Sequence, residues 1–184
     1  MNARAILISM LLFTVTVSAQ DKKAVDNNKL RWLPFDSVQK TFPVAPKPLF
    51  LYISENGCEH CERMDTAVFN RPEIARFVNE NLTAVRVDIY MNTPLKVRDS
   101  LMDEQAFRRL LSIDGIPAYY FFDTSGGVIG VLDSEMDLLK FKRMLVFIRG
   151  GHFFRTPWDK FLGMPEASEA ALDKSFPVAT PKKK

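Results

Sequence analysis

Cysteine is almost missing from this chain: two in 184 residues, at positions 58 and 61. A framework of several structural disulfides is excluded. Histidine is as scarce, with His60 between the cysteines and His152 far along the chain. A closed zinc site, which wants four ligands, finds too few of them. Charge of one sign is also lacking. The formal net charge is +3, from 25 basic and 22 acidic residues. The only dense basic run is Lys182 to Lys184, which reads as a solvated terminus, so no nucleic-acid partner is expected. After the first twenty residues no apolar run is long enough to span a bilayer, and no internal repeat is visible.

What is present begins with a leader. Arg4 supplies a positive start, Ala5 to Val17 is almost wholly apolar, and Val17-Ser18-Ala19 is a pattern that signal peptidase reads. Residues 1–19 are therefore expected to be a signal peptide cleaved before Gln20. With no cysteine near that point, a lipoprotein anchor is not expected. The mature protein is expected to be exported, periplasmic or secreted, without stable membrane insertion, in a compartment where disulfides persist.

The remaining chain has 47% apolar residues overall and the length of one domain. Residues 20–29 read as a flexible lead-in, 30–163 as the domain, and 164–184 as a polar tail whose last dozen residues are disordered. Leu30 to Leu33 suggests a first strand, and Phe35 to Phe42 one or two helical turns. Leu49-Phe50-Leu51-Tyr52-Ile53 has the pattern of a strand buried on both faces. Cys58 to Phe69 has helical spacing with Cys61, Met64 and Val68 inward. Asn70 can cap a helix that starts at Pro72. Leu82 to Tyr90 alternates as a strand, Met91 to Arg98 is irregular, and Asp103 to Leu111 is helical. Ala118 to Phe122 and Val128 to Leu132 form a hairpin around Asp123 to Gly127. Ser134 caps a long helix with Glu135 and Asp137 in its first turn, and Gly150-Gly151 stops it. A short helix follows around Trp158. Alternating strands and helices predict an α/β sandwich, and the hairpin makes its sheet mixed.

Two cysteines three residues apart arise by chance roughly once in a hundred such chains. A structural bridge closing so short a loop gives little chain-entropy stabilisation. Placed at a helix start, the pair shares one face and can cycle between dithiol and disulfide. Cys58 gains from the helix dipole and is the expected nucleophile. Cys61, one turn deeper, is the expected resolving thiol. His60 can favour a Cys58 thiolate when cationic, and Glu59 acts in the opposite sense. Cys58, His60 and Cys61 could instead contribute to a soft-metal site, with two thiolates holding Cu(I). Ile116-Pro117 reads either as a tight, cis turn or as an edge-strand proline.

The buried strand, the Cys-x-x-Cys at a helix start and Ile-Pro before a hairpin resemble the thioredoxin superfamily from about Trp32 to Gly150. Cys58-Glu59-His60-Cys61-Glu62-Arg63-Met64, with Val68-Phe69, Pro72-Glu73-Ile74 and Val87-Asp88, resembles its periplasmic branch. That branch includes the C-terminal domain of DsbD-type reductases and SoxW-like proteins. The resemblance implies a thioredoxin-like fold, a central mixed β-sheet flanked by helices. It implies that Pro117 is a cis-proline beside the disulfide, with the Ile116 backbone pairing with an extended substrate. Three departures stand out. Gly57 replaces the usual tryptophan and opens the surface at Cys58. Tyr52 replaces a buried aspartate, leaving Glu55, Glu62 or water as proton acceptor for Cys61. Glu59-His60 matches neither the thioredoxin nor the DsbA dipeptide.

The expected function is thiol–disulfide exchange with protein substrates, leaning towards reductase, in a monomer served by a separate redox partner. No cofactor and no resident metal are expected. A Cu(I) carrier and a non-catalytic module binding partners near Pro117 and Trp158 are the alternatives.

Overall fold

The structure is a computed structural model that describes residues 26–90 and 94–177. The expected signal peptide, the first part of the lead-in and the Lys182–Lys184 run lie outside the described residues.

Strand β1 (Leu49–Ser54) is the axis of the molecule, and all six of its residues are buried. Pro46 and Pro48 precede it, so no helix can run into it. It pairs in parallel with β2 (Thr83–Asp88) and antiparallel with β5 (Ala118–Phe122). β5 pairs antiparallel with β6 (Val128–Leu132), giving a four-stranded mixed sheet of order β2-β1-β5-β6. The β5–β6 turn is held by Asp123, whose Oδ1 accepts the backbone N–H groups of Ser125 and Gly127 at 2.8 and 2.9 Å.

Helix α1 (Glu59–Met64) follows β1 directly and runs on through a π turn (Asp65–Phe69). Helix α2 (Pro72–Asn81) has Pro72 in its first turn. Its cap residue is Arg71, with no side-chain cap, so Asn70 does not cap it. Helix α3 (Glu104–Leu111) is capped by Asp103, and α4 (Leu138–Arg149) by Asp137. The expected cap at Ser134 is therefore displaced to Asp137, because that carboxylate accepts the Lys140 N–H at 2.7 Å. Glu135 is left outside the helix.

Two apolar layers enclose the sheet. On one face Phe50, Tyr52, Tyr119 and Phe121 pack against α1, α2 and α4. On the other, Leu49, Leu51, Ile53, Tyr120 and Phe122 pack with Phe35, Val38, Phe42 and Phe107. This division follows from the two-residue period of a strand.

Three segments differ from the sequence reading. Leu30 to Leu33 makes only an isolated bridge, Leu33 to Val85, and instead lays Trp32 on Tyr52 at 5.5 Å. Within the stretch expected to be irregular, β3 (Leu95–Val97) pairs with β4 (Ser100–Met102) as a small hairpin; residues 91–93 lie outside the described residues. Beyond Gly163, where a polar tail is expected, α6 (Glu169–Ser175) follows the short α5 (Trp158–Phe161). Leu172 and Phe176 are buried, and Phe176 stacks on Phe77 at 4.5 Å. Two apolar side chains at helical spacing suffice to dock a segment that is polar on average.

Candidate functional site

The loop from β1 to α1 turns at Gly57, whose φ of +78° suits glycine. A Cβ there would have nothing within 4 Å, so the surface beside Cys58 is open. Cys58 is the N-cap of α1 and Cys61 lies one turn in. They are joined as a disulfide with a Cα–Cα separation of 5.2 Å, well inside the usual window of about 4.4–6.8 Å. The Cys61 N–H donates to Cys58 Sγ at 3.1 Å. Cys58 retains 8% exposure and Cys61 1%. The more exposed cysteine is thus the one whose sulfur accepts a helix N–H.

The Ile116–Pro117 peptide is cis, as is Phe42–Pro43. Ile116, Pro117, His60 and the Asp133–Glu135 loop line one small cleft of about 310 Å³. Across it runs an ionic network that the sequence reading missed. Glu135 Oε2 lies 3.0 Å from His60 Nδ1, and Arg63 Nε donates to both Glu135 oxygens at 3.1 and 3.0 Å. Arg63 also pairs with Glu59 at 2.6 Å. Arg63 Nη2 lies 2.6 Å from the same His60 Nδ1. That nitrogen can donate to Glu135 when protonated or accept from Arg63 when not, but cannot do both. Hydrogen bonds from His60 and then Arg63 hold the Glu135 carboxyl below its ordinary value of 4.5, while Glu135 raises the Arg63 guanidinium. Helical spacing suggests the Arg63–Glu59 pair; the reach of Glu135 depends on where α4 begins.

A lowered carboxylate supports the folded state above its unfolded value, and that support is lost as pH falls through the folded value. Glu135→Gln should therefore lower the thermal midpoint slightly near neutral pH. The difference from the unaltered chain should shrink as pH falls through the folded value, which lies below the ordinary 4.5. Thermal scans across that range check this; a difference independent of pH would contradict it.

Behind the disulfide lies a second cleft, of about 290 Å³, lined by Cys58, Cys61, Glu55, Glu62, Asp65 and Arg86 among others. Glu55 and Glu62, the expected proton acceptors, make no side-chain ion pair among the described residues. Asp65 and Arg86, unremarked in sequence, form a bidentate pair at 3.0 and 2.9 Å. Tyr52 is fully buried, and among the described residues neither its hydroxyl nor that of Tyr119 has a hydrogen-bond partner. Burial first, then Asp65, pushes the Tyr52 phenol far above its ordinary value. Among the described residues no three His, Cys, Asp or Glu side chains stand close enough to hold a metal ion.

Residues 45–124 match the family model described as Thioredoxin-like. This is a thioredoxin-fold chain. A thioredoxin-fold protein from Helicobacter pylori is similar over 85% of this chain and 97% of its own, with a TM-score of 0.58 and 19% identity. A thioredoxin from Thermus thermophilus covers 64% of this chain and 85% of its own, with a TM-score of 0.49 and 19% identity. A DsbH oxidoreductase covers 58% and 74%, with a TM-score of 0.44 and 20% identity. At 19% identity the likeness to the Helicobacter pylori protein speaks for the fold alone. No curated protein matches the sequence. The thioredoxin fold together with a bonded Cys58–Cys61 pair supports thiol–disulfide oxidoreductase chemistry at a general level.

Proposed function

We infer that this chain is an exported thiol–disulfide oxidoreductase of the periplasmic thioredoxin-like kind, acting on protein substrates. The observation that carries the reading is the Cys61 N–H directed at Cys58 Sγ from the first turn of α1. The same N–H and the dipole behind it would favour a thiolate on Cys58 once the pair is reduced. Cys58 attacks a client disulfide, and Cys61 displaces the client from the mixed disulfide. Gly57, Ile116 and Pro117 frame the surface an extended client would lie on, with His60 and Glu59 adjusting the Cys58 charge. The leader sequence supports export, and a separate partner would restore the pair after each cycle.

The direction is taken to be reductive, from Ile116-Pro117 and the helix sequence after Cys61. The reduction potential should then fall below the value of about −180 mV typical of protein disulfide isomerase.

Cys61→Ala tests the reading. In cell extract from the exported fraction it should hold clients through Cys58 as complexes that dithiothreitol releases. Absence of any such complex, with Cys58 intact and free, would overturn it.

A further inference from the structure

We propose that Asp65 is the proton acceptor for Cys61 in the resolving step, held in place by Arg86 and Ser54 as positioning residues. The inference rests on the exchange reaction given above and names the group that the reaction still needs. A thiol is a poor nucleophile and must lose its proton to attack. Cys61 is 1% exposed, so bulk hydroxide and buffer reach it poorly.

The cleft behind the disulfide supplies a route. It touches Cys61 and Asp65 alike, and its roughly 290 Å³ can hold several waters at about 30 Å³ each. Asp65 is four residues beyond Cys61 in one continuous helical segment, which puts both on the same face. Its carboxylate is fixed: Arg86 Nη1 donates to both oxygens, and Arg86 Nε donates to Ser54 Oγ at 2.9 Å. Ser54 ends the strand that leads into the cysteine loop, so the ion pair is tied to the site from two directions.

The other candidates are less suited. Tyr52 lies under Arg86, with the guanidinium 5.2 Å from its ring centroid. Its buried phenol stays protonated and cannot accept a proton. Glu62 is exposed, Glu55 has no side-chain partner holding it, and Asp88 is exposed with Oδ1 accepting the Tyr90 N–H. On the far side of the ion pair, Asp26 and Lys29 line a separate cleft with Asp65 and Arg86. Neither cysteine lines that cleft.

The Cys61 thiol gives its proton through water to the Asp65 carboxylate. The freed electron pair on Cys61 Sγ forms the bond to Cys58 Sγ. The bond from Cys58 Sγ to the client sulfur breaks, and the client leaves as a thiolate that takes a proton from water. The client disulfide has been reduced to two thiols, and the two cysteines have been oxidised to one disulfide.

The test is stopped-flow reaction of the reduced full chain with a substoichiometric amount of 5,5′-dithiobis-(2-nitrobenzoate). Attack by Cys58 releases the first thionitrobenzoate, and displacement by Cys61 releases the second. In the unaltered protein the second phase should be nearly flat with pH across the neutral range, as expected for an internal base. A tenfold rise per pH unit there would mean hydroxide does the work and would overturn the proposal. Asp65→Asn should slow the second phase by about 10²-fold at neutral pH, restore a steep pH dependence and leave the first phase in place. Asp65→Glu should recover most of the rate. An unchanged second phase in Asp65→Asn would overturn the proposal while leaving the exchange reaction standing. A first phase no faster than that of a free cysteine would overturn the exchange reading itself, and this proposal with it. If Asp65→Asn fails to fold, a steep profile in the unaltered protein still overturns the proposal, and the rate of Asp65→Glu against Glu55→Gln and Glu62→Gln tells Asp65 from the other carboxylates of the cleft.

Discussion

Phe50→Ala should cost about 3–5 kcal/mol of folding stability, the usual range for removing a buried aromatic ring. Phe50 is fully buried in the middle of the central strand. Its ring stacks on Phe121 at 4.9 Å and meets Trp32, Phe141 and Phe69 at 5.4, 5.7 and 6.0 Å. Those partners come from a neighbouring strand, the N-terminal segment, α4 and the end of the π turn. None of them can move into the vacated space without shifting a whole element, so the cavity stays open. Because domains are stable by only about 5–15 kcal/mol, the loss is a large share of the total. In urea the midpoint should fall with the slope unchanged. A loss under about 1 kcal/mol would mean that the core collapses onto the gap, contrary to the packing described.

The second large effect is on chemistry rather than stability. Cys58→Ser should reduce exchange with a peptide disulfide to the uncatalysed background. Serine keeps the position and much of the shape at the N-cap but has no accessible anion at neutral pH. Cys61→Ser should behave differently: the first attack survives and turnover stops at the mixed disulfide. The asymmetry follows from Cys58 keeping more exposure than Cys61, 8% against 1%, beside the open surface at Gly57. A single-turnover assay separates the two outcomes. Equal loss of the first attack in both variants would contradict the assignment of roles.

The network through Glu135 gives the site a further property. It ties the cysteine helix to the loop before α4, across the cleft that contains Pro117. The ties are solvent-exposed, and pairs of that kind contribute little to stability. Their consequence is geometric: the His60 ring is held near the cysteines by a group from another element.

Local sequence was enough for several features because each depends on nearest neighbours along the chain. The apolar run at Leu49 to Ile53, with proline before it and Gly57 after it, could only be a buried strand followed by a turn. Pro72, Asp103 and Gly150 mark helix ends through backbone chemistry that acts within a few residues. Where the reading slipped, a competing local signal was close by. Asp137 outbid Ser134 as a cap, three residues on. The β3–β4 hairpin is three residues per strand, too short for its alternation to show. The docking of Phe176 depends on a partner, Phe77, almost a hundred residues earlier.

Residue types and spacing alone decided the mixed α/β architecture and the pair Cys58–Cys61 at a helix start, because strand period, helix period and turn chemistry are local. Only the folded chain decided that Asp65 meets Arg86, that Glu135 reaches His60 and Arg63, and that Tyr52 is sealed under the site. Each of those meetings joins elements distant in sequence, and strand register and helix placement set them through packing that no local pattern records.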